Sequence, residues 1–181
     1  MAAQGSLLIL GLGNVLCGDD GLGIAAVELL DREYEAGPSV RVLDGGTLGL
    51  SLIGHIQEAE DLILVDAIRD DAAPGSLVRL SGEEVAPAVA DRLSVHQIGV
   101  ADLLDGLRLL EALPPRLRLV GLVPARLSWG PGLSSEVIRA LPDLVSAVRA
   151  EAEALGHTFV ARGDHAAPSR AGHPLARILG L

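Results

Sequence analysis

The feature that most constrains the fold is the alternation of short apolar runs with longer segments of helical periodicity. Ser6–Leu12 (SLLILGL) is continuously apolar and ends beside glycine, and Leu62–Val65 (LILV) is a second run of this kind. Such runs are typical of strands buried on both faces. Because helical patterns separate them, we predict an α/β fold with a layered sheet.

The same patterns divide the rest of the chain into elements. Predicted strands are Ser6–Leu12, Val40–Leu43, Leu62–Val65, Ser76–Leu80 near an edge, and Arg116–Val123. Predicted helices are Asp20–Glu35, a short helix through Ile56, a helix from the capping box Ser94–Gln97 to about Leu110, and Leu133–Leu155.

The last helix carries two breaker signals. Its apolar residues at core spacing are Val137, Ile138, Leu141, Leu144, Val145 and Val148. Pro142 lies inside this pattern and predicts a kink or two abutting helices, because proline removes a helical hydrogen bond. Gly156 supplies the C-terminal stop.

The length of 181 residues suits one domain, which we expect over residues 1–160, with a mobile tail over 161–181. Apolar residues make up 49% of the chain and charged residues 21%, a composition that excludes a disordered protein. The net charge of −10 disfavours binding to nucleic acid.

Cys17 is the single cysteine, which excludes an intramolecular disulfide and a thiolate-rich zinc site. A lone cysteine fits a reducing compartment. The N-terminal apolar run is too short for a signal peptide, and no run is long enough to span a membrane. We therefore expect a cytoplasmic protein without a membrane partner.

Acidic residues follow the first and third predicted strands. If these strands are neighbours, Asp20 and Asp66 meet where the strand order reverses, the usual ligand site of open parallel sheets. His96, in the first turn of a later helix, could point into the same crevice. Two carboxylates and a neutral imidazole are a plausible set of transition-metal ligands with open positions.

Simpler roles exist for each of these residues. Asp19 or Asp20 could cap the following helix, because aspartate is a preferred N-cap residue. Asp66 could be a turn residue, and His96 a surface residue at a helix start. Sequence spacing alone leaves both interpretations open.

Other site types fit less well. The glycine pattern for a dinucleotide fails because Leu16 stands at its third glycine position, although Asp44 imitates the ribose-binding acid. The signatures of zinc proteases and of α/β-hydrolases are missing. Cys17 could be an activated thiolate, but a lone cysteine beside apolar residues is more often buried.

In order and spacing, these motifs resemble the hydrogenase maturation proteases over about residues 7–155. The matching segments are Gly11–Leu16 (GLGNVL), Asp19–Gly23 (DDGLG), Leu43–Thr47 (LDGGT), Asp66-Ala67, His96–Asp102 (HQIGVAD) and Gly121–Leu133 (GLVPARLSWGPGL). The resemblance implies a three-layer α/β/α sandwich around a mainly parallel five-stranded sheet.

The resemblance also implies roles for individual residues. Metal contacts fall on Asp20, Asp66 and His96, while Asp20 and Asp44 are the candidates for the catalytic group. The loop and substrate-recognition positions implied by the motifs are Gly11, Gly13, Asn14, Asp19, Asp44, Gly45 and Gly46.

The activity implied is that of an endopeptidase that removes a C-terminal extension from the precursor of a [NiFe]-hydrogenase large subunit. Nickel held by that precursor would be the recognition signal, and zinc or cadmium could occupy the site in vitro. We expect the enzyme to act as a monomer. An aspartyl mechanism without metal, a non-enzymatic metallochaperone and a nucleotide-binding domain stay as alternatives.

Overall fold

Five strands form the central sheet in the computed structural model, which describes residues 5–90 and 98–163. In chain order the strands of the molecule are β1 (Leu7–Leu12), β2 (Tyr34–Ala36), β3 (Val40–Gly46), β4 (Asp61–Ala67), β5 (Leu77–Ser81), β6 (Arg116–Leu122) and β7 (Phe159–Ala161). The central sheet has the order β3-β1-β4-β6-β5, and β2 pairs with β7 separately. All neighbours in the central sheet are parallel except β5, which runs antiparallel at one edge.

Helices cover both faces of this sheet. They are α1 (Leu22–Glu33), α2 (Ile53–Ile56), α3 (Val85–Ala90), α4 (Ile98–Leu109) and α5 (Ser135–Ala154). Alternate residues of β1 enter opposite cores: Leu7 and Ile9 pack with α1 and α5, whereas Leu8 and Leu10 pack with α2, α3 and α4. The predicted three-layer sandwich with a mainly parallel five-stranded sheet is thereby confirmed.

The five predicted strands are all present, but the first helix differs from its prediction. A 3-10 turn, Gly18–Gly21, precedes α1, which begins at Leu22 rather than Asp20. The predicted helix end at Glu35 is also wrong, because the chain turns into strand β2 at Tyr34. The predicted helix start at Ser94–Gln97 lies outside the described residues.

Helix α5 is continuous through Pro142, so the alternative of two abutting helices is wrong, while a kink at Pro142 stays a prediction. Pro142 is exposed, and the carbonyl that it deprives of a helical partner belongs to Ile138, four residues earlier. Ile138 is 46% exposed, which corrects its assignment to the core. Gly156, with φ of 95°, ends the helix as predicted.

The C-terminal end of the described chain is fastened to the domain. Ala161, predicted as the first residue of the tail, pairs with Tyr34 in the small sheet. The amide of Arg162 donates to the carbonyl of Glu33 at 2.8 Å. Residues 164–181 lie outside the described part. None of the helices within residues 5–90 and 98–163 combines the length and hydrophobicity that a transmembrane span requires.

Candidate active site

The topology creates a crevice at the carboxyl ends of β1 and β4. These strands are parallel neighbours, which meets the condition under which Asp20 and Asp66 are expected to lie at one edge. After β1 the chain enters α1 on one face of the sheet, whereas after β4 it continues to β5 and to α3 and α4 on the other face. Diverging connections of this kind mark the ligand-binding switch point of open α/β sheets. Asp66 lies near the end of β4, and Asp20 lies in the turn after β1.

Close backbone packing brings that turn onto both strand ends. A Cβ atom added to Gly23 would lie 2.2 Å from the carbonyl oxygen of Val65 and 2.4 Å from that of Leu12. Only a residue without a side chain allows the first turn of α1 to approach β1 and β4 so closely. The glycine therefore places the segment carrying Asp20 directly beside the strand that carries Asp66.

The Asp20 side chain turns back toward the loop that follows β1. It is 2% exposed, and its Oδ2 accepts a hydrogen bond from the Asn14 amide at 2.9 Å. Gly13, with φ of 125°, lies against the Asp20 carbonyl, where any larger residue would clash. The N-cap of α1 is Gly21 and has no side-chain cap hydrogen bond, so the capping interpretation of Asp19 or Asp20 is wrong.

Asp66 belongs to β4 itself and is not a turn residue. The carboxylate is 2% exposed, and its Oδ1 accepts a hydrogen bond from the Ala67 amide at 2.7 Å. The neighbouring strand offers Gly121, where an added Cβ atom would lie 1.9 Å from the Asp66 carbonyl oxygen. A carboxylate buried in a sheet is costly unless ligands or hydrogen bonds stabilise its charge, so this position indicates a functional or strongly structural role.

Asp44 lies on the other side of β1. It pairs with Gly11 in the β1–β3 register, which then shifts so that Gly46 pairs with Leu12 and Gly45 is the extra residue. The Asp44 Oδ1 accepts a hydrogen bond from the Gly46 amide at 2.9 Å. Asp44 lies near the carboxyl end of β3, at the same edge of the sheet as Asp20, and is half-buried whereas Asp20 is buried.

The third predicted metal ligand, His96, lies between the two described ranges. Within those ranges no group of three or more His, Cys, Asp or Glu side chains is placed to hold a metal ion. Asp20 and Asp66 both lie at the carboxyl edge of the sheet. A metal site formed by Asp20, Asp66 and His96 together stays a prediction.

Asp19 has a structural role that the sequence did not indicate. Its side chain is completely buried, and Oδ2 accepts hydrogen bonds from the amides of Ala125 at 2.8 Å and Arg126 at 2.9 Å. The amide of Ser134 donates to Oδ1 at 2.6 Å, and the Ser134 hydroxyl donates to Oδ2 at 2.9 Å. These donors lie more than a hundred residues away, so no local pattern could have identified them.

Cys17 is not suited to nucleophilic catalysis. Burial raises the pKa of its thiol, and the negative charge of Asp20 raises it further. The neutral thiol is a poor nucleophile, so the thiolate alternative is not favoured. The crevice instead offers carboxylate oxygens, which can bind a divalent ion or activate a water molecule.

Comparisons with known proteins find related sequences over most of the chain. The sequence profile of the family described as hydrogenase maturation protease matches residues 24–151. The Hydrogenase 2 maturation protease of Escherichia coli K12 is 39% identical over 132 residues, which are 72% of this chain and 80% of that protein. The hydrogenase expression/formation protein HoxM of Azotobacter vinelandii is 39% identical over 174 residues, which are 94% and 83% of the two chains.

Solved structures give the same result. The hydrogenase maturating endopeptidase HybD from E. coli superposes with a TM-score of 0.83 at 35% identity, covering 88% of this chain and 99% of that one. The [NiFe] hydrogenase maturation protease HybD from Thermococcus kodakarensis superposes with a TM-score of 0.65 at 32% identity, covering 81% and 99%.

Proposed function

Because the chain belongs to the hydrogenase maturation protease family, whose members hydrolyse peptide bonds, we propose a specific cleavage reaction for it. The substrate is the nickel-loaded precursor of a [NiFe]-hydrogenase large subunit, from which the chain removes the C-terminal extension. The observation that carries the proposal is the burial of Asp20 and Asp66 at the carboxyl ends of adjacent segments. The carboxyl edge of the sheet, where these carboxylates lie, is the usual ligand site of an open α/β sheet.

Nickel in this proposal is part of the substrate. Asp20, Asp66 and His96 complete the coordination of an ion that the precursor already carries, because three side chains are too few for a closed site. Two carboxylate oxygens and an imidazole suit nickel, and zinc or cadmium can bind the same donors in vitro. A bound cation also relieves the repulsion between neighbouring carboxylates. Held by these residues, the ion would supply Lewis acidity that could position the scissile peptide, polarise its carbonyl or activate water.

The side chains of the enzyme position the peptide and accept the proton of the attacking water molecule. Asp44 is the more exposed of the three acids on this edge, and we assign it to contact with the substrate or to activation of water. Asp20 is the second candidate for the base. A metal-free aspartyl mechanism would use the same two residues, so the role of nickel decides between the mechanisms.

Comparing nickel-loaded and nickel-free precursor tests this proposal. The enzyme is treated with a chelator and desalted, then incubated with each precursor, and the precursor mass is measured. Loss of a C-terminal fragment from the nickel-loaded precursor alone is the expected result. Equal cleavage of the nickel-free precursor would replace nickel recognition with the aspartyl mechanism. Tight binding without cleavage would instead identify a metallochaperone.

The proposal includes the cytoplasm as the place of action and a monomer as the active form. The single buried Cys17 fits a reducing compartment. Sedimentation of the purified protein measures the oligomeric state directly.

A further inference from the structure

Two large apolar side chains stand exposed beside the candidate active site. Leu16 follows β1 and is 43% exposed, and Trp129 follows β6 and is 77% exposed. Trp129 is also the only tryptophan of the chain. Large exposed aromatic residues are uncommon on a free surface and frequent at the centre of protein contacts. We call Leu16 and Trp129 together the apolar ledge.

Backbone hydrogen bonds join the two halves of the ledge. The amide of Gly18 donates to the carbonyl of Gly130 at 2.9 Å, and the amide of Gly130 donates to the carbonyl of Leu16 at 2.9 Å. These bonds form a short parallel bridge between Cys17 and Gly130. The ledge is therefore part of two loops that are fixed to each other in the free protein.

Asp19 fastens these loops a second time and connects them to Asp20. Its carboxylate accepts the amides of Ala125, Arg126 and Ser134, while its own amide donates to the carbonyl of Arg126 at 2.8 Å. Ser134 is the N-cap of α5, so the positive end of that helix also stabilises the Asp19 charge. Because Asp20 is the next residue, any shift of Asp19 moves the ledge relative to Asp20.

We propose that the apolar ledge binds the precursor polypeptide beside the cleaved bond and that Asp19 is the positioning residue that sets its place relative to Asp20. This inference rests on the proposed function. The expected occupant is an extended apolar segment of the precursor, held against two side chains whose loops are already joined by backbone hydrogen bonds, which lowers the cost of ordering them on binding. Leu48 and Leu50, 60% and 55% exposed, also follow a strand, β3, at this carboxyl edge of the sheet.

Kinetics of Trp129→Ala test the ledge. We expect KM for nickel-loaded precursor to rise about tenfold, while kcat changes less than about twofold, because the contact is made equally in the ground and transition states. Leu109→Ala is the matched control: Leu109 is 87% exposed but ends α4 at the opposite edge of the sheet, a few residues before β6 begins. Equal KM values for Trp129→Ala, Leu109→Ala and the unaltered enzyme would overturn the inference.

Calorimetric binding of the precursor separates failure of this inference from failure of the proposed function. If the unaltered protein binds without cleaving, the proposed activity fails, yet weaker binding by Trp129→Ala still supports the ledge. Unaltered binding by that variant overturns the ledge alone. Sedimentation tests the alternative that a second copy of the chain occupies the ledge. If the unaltered protein dimerises and the Trp129→Ala variant does not, the surface is a dimer contact and the inference is overturned.

Asp19→Asn tests the positioning role. Either orientation of the amide points an NH₂ group at backbone donors, so the loops should separate although the side-chain shape is kept. We expect lower fluorescence anisotropy of Trp129 and a kcat/KM reduced at least about tenfold, with Ser134→Ala, which keeps the backbone donors, changing both less. Normal anisotropy and normal kcat/KM would overturn the role of Asp19. If Asp19→Asn fails to fold, the fluorescence anisotropy of Trp129 is measured in Ser134→Ala instead. A value equal to that of the unaltered protein would overturn the positioning role of Asp19.

Discussion

Strand β4 carries a buried aspartate at each end, and the two sites differ in what surrounds the carboxylate. At the amino end, Asp61 contacts both Nε and Nη2 of Arg116, the latter at 2.8 Å from Oδ2, and the His157 ring lies 2.8 Å from the same oxygen. The Ser39 hydroxyl lies 3.1 Å from the other ring nitrogen. At the carboxyl end, the Asp66 carboxylate accepts the amide of the next residue and lies at the switch-point crevice.

The comparison sets a structural acid, Asp61, beside Asp66, to which the proposed function assigns a metal contact. The Asp61 network joins the segment before β3, the starts of β4 and β6, and the turn after α5, so its hydrogen bonds hold four segments together. Its Ser-His-Asp order is that of a hydrolase triad, but His157 is only 1% exposed and cannot reach a substrate. Under the proposed function, the buried acids at the two ends of one strand have different roles: Asp61 stabilises the fold and Asp66 takes part in the chemistry.

Asp66→Asn should produce the largest effect on activity. The change keeps the side-chain shape but removes a negative charge from the crevice, so cleavage of nickel-loaded precursor should fall at least about a hundredfold, equivalent to about 3 kcal/mol of transition-state stabilisation. Thermal unfolding of the variant serves as the control and should change little. Unimpaired cleavage would place Asp66 with Asp61 among the structural acids.

Asp61→Asn should show the opposite pattern. Removing one partner of a buried ion pair leaves Arg116 and His157 poorly matched and should lower the free energy of unfolding by about 3 kcal/mol. The thermal midpoint should fall by roughly 6–12 °C, as measured by circular dichroism. The kcat/KM of the folded enzyme at low temperature should be unchanged, and a large loss of it would show that the two ends of β4 are coupled.

Two truncations should produce the smallest effects and locate the end of the domain. A chain ending at Gly163 keeps β7 and the three hydrogen bonds from Arg162 to Glu33, Asp31 and Tyr34, so its unfolding free energy should stay within about 1 kcal/mol. A chain ending at Thr158 loses these contacts and should lose at least about 2 kcal/mol. Similar unfolding curves for both would exclude β7 from the stabilising contacts.

Strands buried on both faces could be predicted because continuous apolar runs have few alternative structures. Weakly patterned elements could not: β2 and β7 have only three residues each, and their pairing across most of the chain has no local signal. Ile138 was misassigned because it lies at the border of the apolar stripe in the first turn of α5. Pro142 did not break that helix because it faces solvent, where water can replace the lost hydrogen bond.

For the site, the positions of Asp20 and Asp66 followed from the rule that parallel strand ends share an edge. The role of Asp19 did not, since two adjacent aspartates look alike in sequence and only tertiary contacts distinguish them. The Asp19 carboxylate accepts its hydrogen bonds from a distant loop. The Asp20 carboxylate instead accepts one from the nearby amide of Asn14. The part played by His96 stays a prediction.

The clamp formed by Asp19 has a consequence for biosynthesis. Its donors lie 106 to 115 residues later in the chain, so a ribosome that has made β1, α1 and even β4 has not yet made the residues that fix the turn carrying Asp20. Contacts so distant in sequence form late in folding. The turn that carries Asp20 is therefore fixed by this clamp only after residues 125–134 have been synthesised and have docked, so the arrangement of Asp20 beside β4 is completed late in synthesis.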